Sequence, residues 1–127
     1  MSTSTWSTLN KVGLVLQFLY GLVNLPTAFI PPEAMTNEAG AATMGPPAWV
    51  LWADTILSVV LVVAAIAAWR SGNRSHALLA SASNVLISLS GVPAYFVGAP
   101  HNIQVLVTIG IVWTIVSVTL THLRAKA

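Results

Sequence analysis

The stretch Pro46–Arg70 constrains this chain more than any other. With Gly45 in front it reads GPPAWVLWADTILSVVLVVAAIAAWR, more than 20 mostly apolar residues between a Gly-Pro-Pro entry and an arginine exit. At about 1.5 Å per residue, a helix of that length crosses a hydrocarbon core of ~30 Å. Inside it lies Asp54, the one acid in any apolar segment of the chain. A carboxylate within a membrane is unfavourable to insert, so it marks a candidate functional position.

Composition agrees with a membrane solvent. Of 127 residues, 56% are hydrophobic and 6% charged, against about 25% charged in a soluble domain. Such a chain lacks the polar surface to face water all round, and one small integral-membrane domain follows. The net charge of +2 comes from scattered basic residues, which form no nucleic-acid-binding patch. The absence of cysteine removes disulfides, thiolate metal sites and Cys nucleophiles. Lys11 before an apolar run resembles a signal peptide. The run Val12–Ile30 is longer than an h-region, however, and no A-x-A-like site follows, so it reads as a retained first span.

Four spans are expected, over about 9–30, 47–69, 76–97 and 102–123, separated by Pro31-Pro32, the turn Ser71–Ser75 and Gly98-Ala99-Pro100. An even number of spans puts the N-terminus, the 71–75 turn and the C-terminus on one side. Lys11, Arg70, Arg74, Arg124 and Lys126 all fall there, so both termini are expected to be cytoplasmic in a cell membrane. Short connections make neighbouring spans antiparallel. The expected fold is therefore all-α, an integral-membrane up-down four-helix bundle. A barrel is excluded because the runs lack the alternation its strands need.

A repeat of two helical hairpins is a further expectation. At an offset of 67, span 1 aligns with span 3, pairing Pro26 with Pro93, Phe29 with Phe96 and Gln17 with Asn84. At an offset of 53, span 2 aligns with span 4, pairing Gly45-Pro46-Pro47 with Gly98-Ala99-Pro100. Both hairpins start on the same side, which makes the repeats parallel.

The candidate site residues are Asp54, Asn24, Gln17, Ser58, Asn84, Ser88 and Tyr95. Gln17, Gly21, Asn24 and Ala28 share one stripe of span 1; Ser81, Asn84, Ser88, Gly91 and Tyr95 share one of span 3; Asp54 and Ser58 lie one turn apart in span 2. Asn24 and Asp54 come out at similar depth, roughly 10 Å from the outer ends, with Gln17 and Asn84 deeper. Two readings stand side by side. The stripes are packing seams, in which small residues allow close approach and amides and hydroxyls bond across helices. Alternatively, they line a pocket for a small apolar or amphipathic ligand, with Asp54 as a charge or proton carrier facing inward near Asn24 and Ser58. Pro26 and Pro93 are expected to leave the carbonyls of Leu22 and Leu89 free. The stripe Gly110, Thr114, Ser117 and Thr121 of span 4 is expected to offer surface to another helix.

No catalytic group or metal set emerges. His76, His101 and His122 lack metal-ligand spacing and read as interfacial residues, Trp113 reads as a packing residue, and no span contains a lysine for a Schiff base. No cofactor is expected.

The four-span plan and the first-span sequence LQFLYGLVNLP (Leu16–Pro26) resemble the small four-helix membrane proteins called DoxX-like, with Asn24 where those have a basic residue. The resemblance implies a redox-associated or accessory membrane role. Small multidrug exporters share the span count, but their key acid lies in the first span, where this chain has none. Three classes of function follow. The chain is an accessory or assembly subunit of a larger membrane complex, a small-molecule or lipid-like ligand binder or transporter using Asp54, or, least favoured, an enzyme. The expected partners are the lipid bilayer and either a second copy or a larger complex, with no nucleic acid.

Overall fold

The computed structural model describes residues 6–29, 48–92 and 101–123 of the chain. Among them are four α-helices and no strand: α1 (Thr8–Asn24), α2 (Ala48–Ser71), α3 (Arg74–Ser90) and α4 (His101–His122), with a 3₁₀ turn (Leu25–Phe29) after α1.

Local chemistry sets the ends. Ser7 caps α1, its Oγ accepting from the Asn10 amide while the Ser7 N–H donates to Asn10 Oδ1, both at 3.1 Å. This is a capping box closed by an amide in place of the usual Glu or Gln. Pro26 has no N–H to continue α1, and the chain tightens into the 3₁₀ turn. There the Leu25 N–H takes the Leu22 carbonyl, which is therefore not free as expected. At the end of α3, Gly91 N–H donates to the Ser88 and Leu89 carbonyls, so the Leu89 carbonyl is not free either. The described helix ends at Ser90; Pro93, Tyr95 and the expected span end at Val97 lie outside the described residues. Between α2 and α3 only Gly72 and Asn73 intervene. Gly72 sits at φ 70°, a left-handed C-terminal position that glycine adopts without strain. Asn73 then caps α3 through Oδ1 and the Ser75 N–H at 2.8 Å.

The helices run antiparallel in sequence. α1 packs between α2 and α4, α3 packs on α2 and more lightly on α4, and α1 meets α3 across the diagonal. One end of the bundle carries Trp6, whose indole N–H donates to the Ala68 carbonyl at 2.8 Å, with Arg74 stacked 5.0 Å over its ring. Trp6, Leu14, Ala68 and Ala77 form a small apolar cluster there. The opposite end carries Asp54, the 3₁₀ turn and the start of α4.

Burial is inverted relative to a water-soluble bundle. Gln17, Ser58, Asn84, Ser117 and Thr121 are fully enclosed, whereas Val23, Ile56, Val63, Leu106 and Ile115 are more than half exposed. Two helices, over Trp49–Ser71 and His101–His122, are long and apolar enough to cross a membrane. α1 and α3 have 17 residues each, and the buried polar side chains are shared between them and the two longer helices. The buried positions follow the sequence offsets in part. Adding 67 carries Asn10, Gly13, Leu14, Gln17 and Gly21 of α1 onto Ala77, Ala80, Ser81, Asn84 and Ser88 of α3, all buried. Adding 53 carries Leu61, Ala64 and Ala68 of α2 onto buried Thr114, Ser117 and Thr121 of α4, whereas Leu51, Asp54, Thr55, Ser58 and Ala65 fall on α4 positions that are not buried.

Candidate functional site

The polar interior divides into a deep seam and a separate acid site. The seam is centred on Gln17 and Asn84, which the bundle brings together across its diagonal. Asn84 Nδ2 donates to Gln17 Oε1 at 3.2 Å and to Ser117 Oγ at 3.4 Å. Gln17 Nε2 donates to Ser81 Oγ at 3.1 Å and to Thr121 Oγ1 at 2.9 Å. On the other side, Thr114 Oγ1 donates to Asn84 Oδ1 at 2.7 Å and is itself paired with Ser88, which pairs with Tyr20 Oη at 2.9 Å. A hydroxyl has one hydrogen to give. The direction of this branch is therefore fixed: Tyr20 to Ser88 to Thr114 to the Asn84 carbonyl. At the Trp6 end, Ser81 Oγ lies 2.7 Å from His122 Nε2. The network thus runs from His122 to Tyr20 through three helices.

Close packing makes this possible. A Cβ on Gly13 would lie 2.6 Å from Thr121 Oγ1 and 2.8 Å from the Ser117 carbonyl, so only glycine lets α1 approach α4 here. The stripe Thr114, Ser117 and Thr121, expected to offer surface to a further helix, is instead the inner face of α4 against α1. Gly110 of the same stripe faces the Tyr20 hydroxyl. The reason is that the largest apolar side chains of α4, such as Leu106, Ile109 and Ile115, occupy its outward face.

Asp54 stands apart from this seam. It is buried in α2, and its carboxyl meets Ser90 at the last residue of α3: Ser90 Oγ is 2.7 Å from Oδ1 and 2.9 Å from Oδ2. The neighbouring Thr55 donates to the Leu25 carbonyl at 2.9 Å. Adjacent residues of α2 thus tie down the C-terminal ends of α3 and α1. Ser58, one turn on, is fully buried and donates back to the Asp54 carbonyl at 2.7 Å. Asn24 turns its amide to the Tyr20 carbonyl at 2.8 Å, within its own helix. Of the seven site residues read from sequence, the fold links Gln17, Asn84 and Ser88 in one network and sets Asp54 in another place. Ser58 and Asn24 are bonded within their own helices, and Tyr95 lies outside the described residues.

Several participants escape a reading by stripes. Ser90 is two residues beyond Ser88, on a different face of α3. Asn10 is fully buried and donates to the Leu120 and Leu123 carbonyls at 2.9 and 2.7 Å, capping the end of α4; the Ser7-x-x-Asn10 spacing was its available signal. Trp113, expected in packing, also donates its indole N–H to the Leu16 carbonyl at 2.8 Å. His122 joins the seam instead of lying only at a boundary. Among the described residues, no group of three His, Cys, Asp or Glu side chains could hold a metal ion.

The chemistry open to the two parts differs. Amide-to-amide contact interrupts any relay of protons along the seam, because neither Gln17 nor Asn84 readily gives up and regains a proton. Asp54 with Ser90 has no such interruption. Compared with known proteins, the chain matches no family model, no curated protein and no solved structure.

Proposed function

We propose that this chain is a multi-pass membrane protein with four spans and both termini cytoplasmic, acting as an accessory or assembly subunit of a larger membrane complex. One observation carries the accessory reading: among the described residues, every buried side-chain nitrogen and oxygen has a hydrogen-bond partner. A seam whose groups satisfy one another needs no ligand, and it serves as the spine that holds four helices in register. The working surface is then the apolar exterior, available to lipid and to other helices. The exposed tryptophans at opposite ends of α2, Trp49 and Trp52 against Trp69, suit the two interfaces of a bilayer. Lys11, Arg70 and Arg74 gather at the Trp6 end, which the positive-inside rule makes cytoplasmic. The matched burial at the offset of 67, and over part of the offset of 53, supports a repeat of two hairpins. The DoxX-like resemblance of Leu16–Pro26 points in the same accessory direction.

Purification of the native protein in mild detergent tests this reading, with a larger complex expected to co-purify and to survive Asp54→Asn. A stable monomer in bilayers with no co-purifying protein would overturn it. Cysteine labelling tests orientation: a cysteine at Glu38 is expected to react from outside and one at Ser71 from inside, and the reverse pattern would invert the topology.

A second reading, a ligand binder or transporter, rests on Asp54, whose place at the ends of two helices the seam does not explain. It expects loss of ligand binding in a folded Asp54→Asn protein.

A further inference from the structure

Ser90 Oγ has three acceptor oxygens within hydrogen-bonding distance: Asp54 Oδ1 at 2.7 Å, Asp54 Oδ2 at 2.9 Å and the Ile87 carbonyl at 2.6 Å. A serine hydroxyl carries one hydrogen. If it goes to Ile87, the carboxyl oxygens face the serine oxygen with nothing between them. If it goes to the carboxyl, the Ile87 carbonyl is left in that position. Either way, four oxygens are gathered around one hydrogen, a set that one further proton or cation would balance.

The surroundings deepen the deficit. Ser90 is the last residue of α3, so its neighbouring carbonyls form the negative end of that helix, where an ionised carboxylate is disfavoured. The helical part of α1 also ends beside Thr55, adjoining Asp54. Apart from exposed His101, the basic side chains among the described residues lie at the other end of the bundle. α1 contributes Lys11 and α3 contributes Arg74 and His76, all toward the Trp6 end; the 3₁₀ turn has no titratable group. Tyr20, also on α1, is bonded to Ser88, and α4 begins with exposed His101 at the Asp54 end.

We propose that Asp54, Ser90 Oγ and the Ile87 carbonyl form a site for one exchangeable positive charge, a proton or a small monovalent cation, reached from the Asp54 end of the bundle. This deepens the second reading above, on which it rests, by naming the class of ligand. In the proton form, Asp54 donates to Ser90 Oγ and Ser90 donates to the Ile87 carbonyl, and each hydrogen has one acceptor. In the cation form, the same oxygens turn their lone pairs to the ion.

The sequence permits an unusually clean test, because Asp54 is the chain's single aspartate. The full-length protein, labelled with ¹³C-carboxyl aspartate and reconstituted in lipid vesicles, gives an infrared spectrum of this group alone. In alkali-free buffer the protonated-acid band is expected at the acid end of a bathing-pH series, converting to the carboxylate band as the bathing pH rises. Adding sodium or lithium at fixed pH distinguishes the sources. Conversion to carboxylate assigns an exchangeable cation, and an unchanged acid band assigns the proton alone. Ser90→Ala is expected to shift the acid band and Ser88→Ala to leave it in place. A band that stays acid or stays carboxylate across the whole alkali-free bathing-pH series overturns the proposal. The wider binder reading is judged separately by Asp54→Asn, since a permanently ionised Asp54 would still serve an organic cation.

Discussion

The deep seam and the Asp54 site are both buried and polar, yet their hydrogen bonds balance differently. In the seam, each amide hydrogen of Gln17 and Asn84 meets a separate acceptor on another residue. At Asp54 one hydroxyl hydrogen faces three oxygens. A balanced network rigidifies a fold and has no need of a guest. An unbalanced one has room for the exchangeable charge proposed above. Burial and polarity do not distinguish the two places; the count of hydrogens does.

The largest effect that would sharpen this contrast is expected from Gln17→Leu. It removes the Gln17 bonds to Ser81, Thr121 and the Asn84 amide at once, leaving these groups only His122, the Ser117 carbonyl and Ser117 Oγ, with an expected loss of about 2–3 kcal/mol. Reversible unfolding in mixed detergent micelles measures it, and a loss no larger than that of a surface substitution would break the claim that the seam is the spine. Next, Gly13→Val forces a branched side chain against the Thr121 hydroxyl and the Ser117 carbonyl. Separation of α1 from α4 should lower stability by about 2 kcal/mol, visible as a reduced thermal midpoint. A smaller effect, about 1 kcal/mol, is expected from Trp6→Phe, which keeps the ring under Arg74 but loses the bond to Ala68. The smallest belongs to Asp54→Asn, whose amide donates to Ser90 as a protonated acid would. Less than about 1 kcal/mol should be lost in the same unfolding assay, and a collapse of the fold would make Asp54 a structural residue like Gln17.

The sequence conveyed the helices well because apolar runs broken by proline and glycine leave few alternatives. It also placed Gln17 and Asn84 at matching depth, and their contact follows from the pairing of α1 with α3. Facing was harder to read. α4 has an apolar exterior and a small-residue stripe, and periodicity cannot say whether such a stripe looks inward or toward a partner. Thr114, Ser117 and Thr121 look inward because Gly13 admits them. The shared depth of Asn24 and Asp54 likewise did not imply contact, since Asn24 bonds within its own helix and Ser90 arrives from α3. The end of α1 was blurred by proline: the Leu22 carbonyl found the Leu25 N–H because the chain tightened into a 3₁₀ turn around Pro26.

The bonds between α1 and α4 have a consequence for how the protein is made. Asn10 caps the end of α4, Trp113 reaches the Leu16 carbonyl, and Gln17 meets Thr121, at sequence separations of 110 and 113, 97 and 104 residues. Synthesis delivers the N-terminal helix first, so the first helix waits for the last before its amides find their acceptors. A nascent chain arrested before residue 101 displays Asn10 and one face of Gln17 without their α4 partners. Docking of α4 then gives Asn10 and Gln17 their acceptors, so the polar face of α1 closes only when α4 has been made.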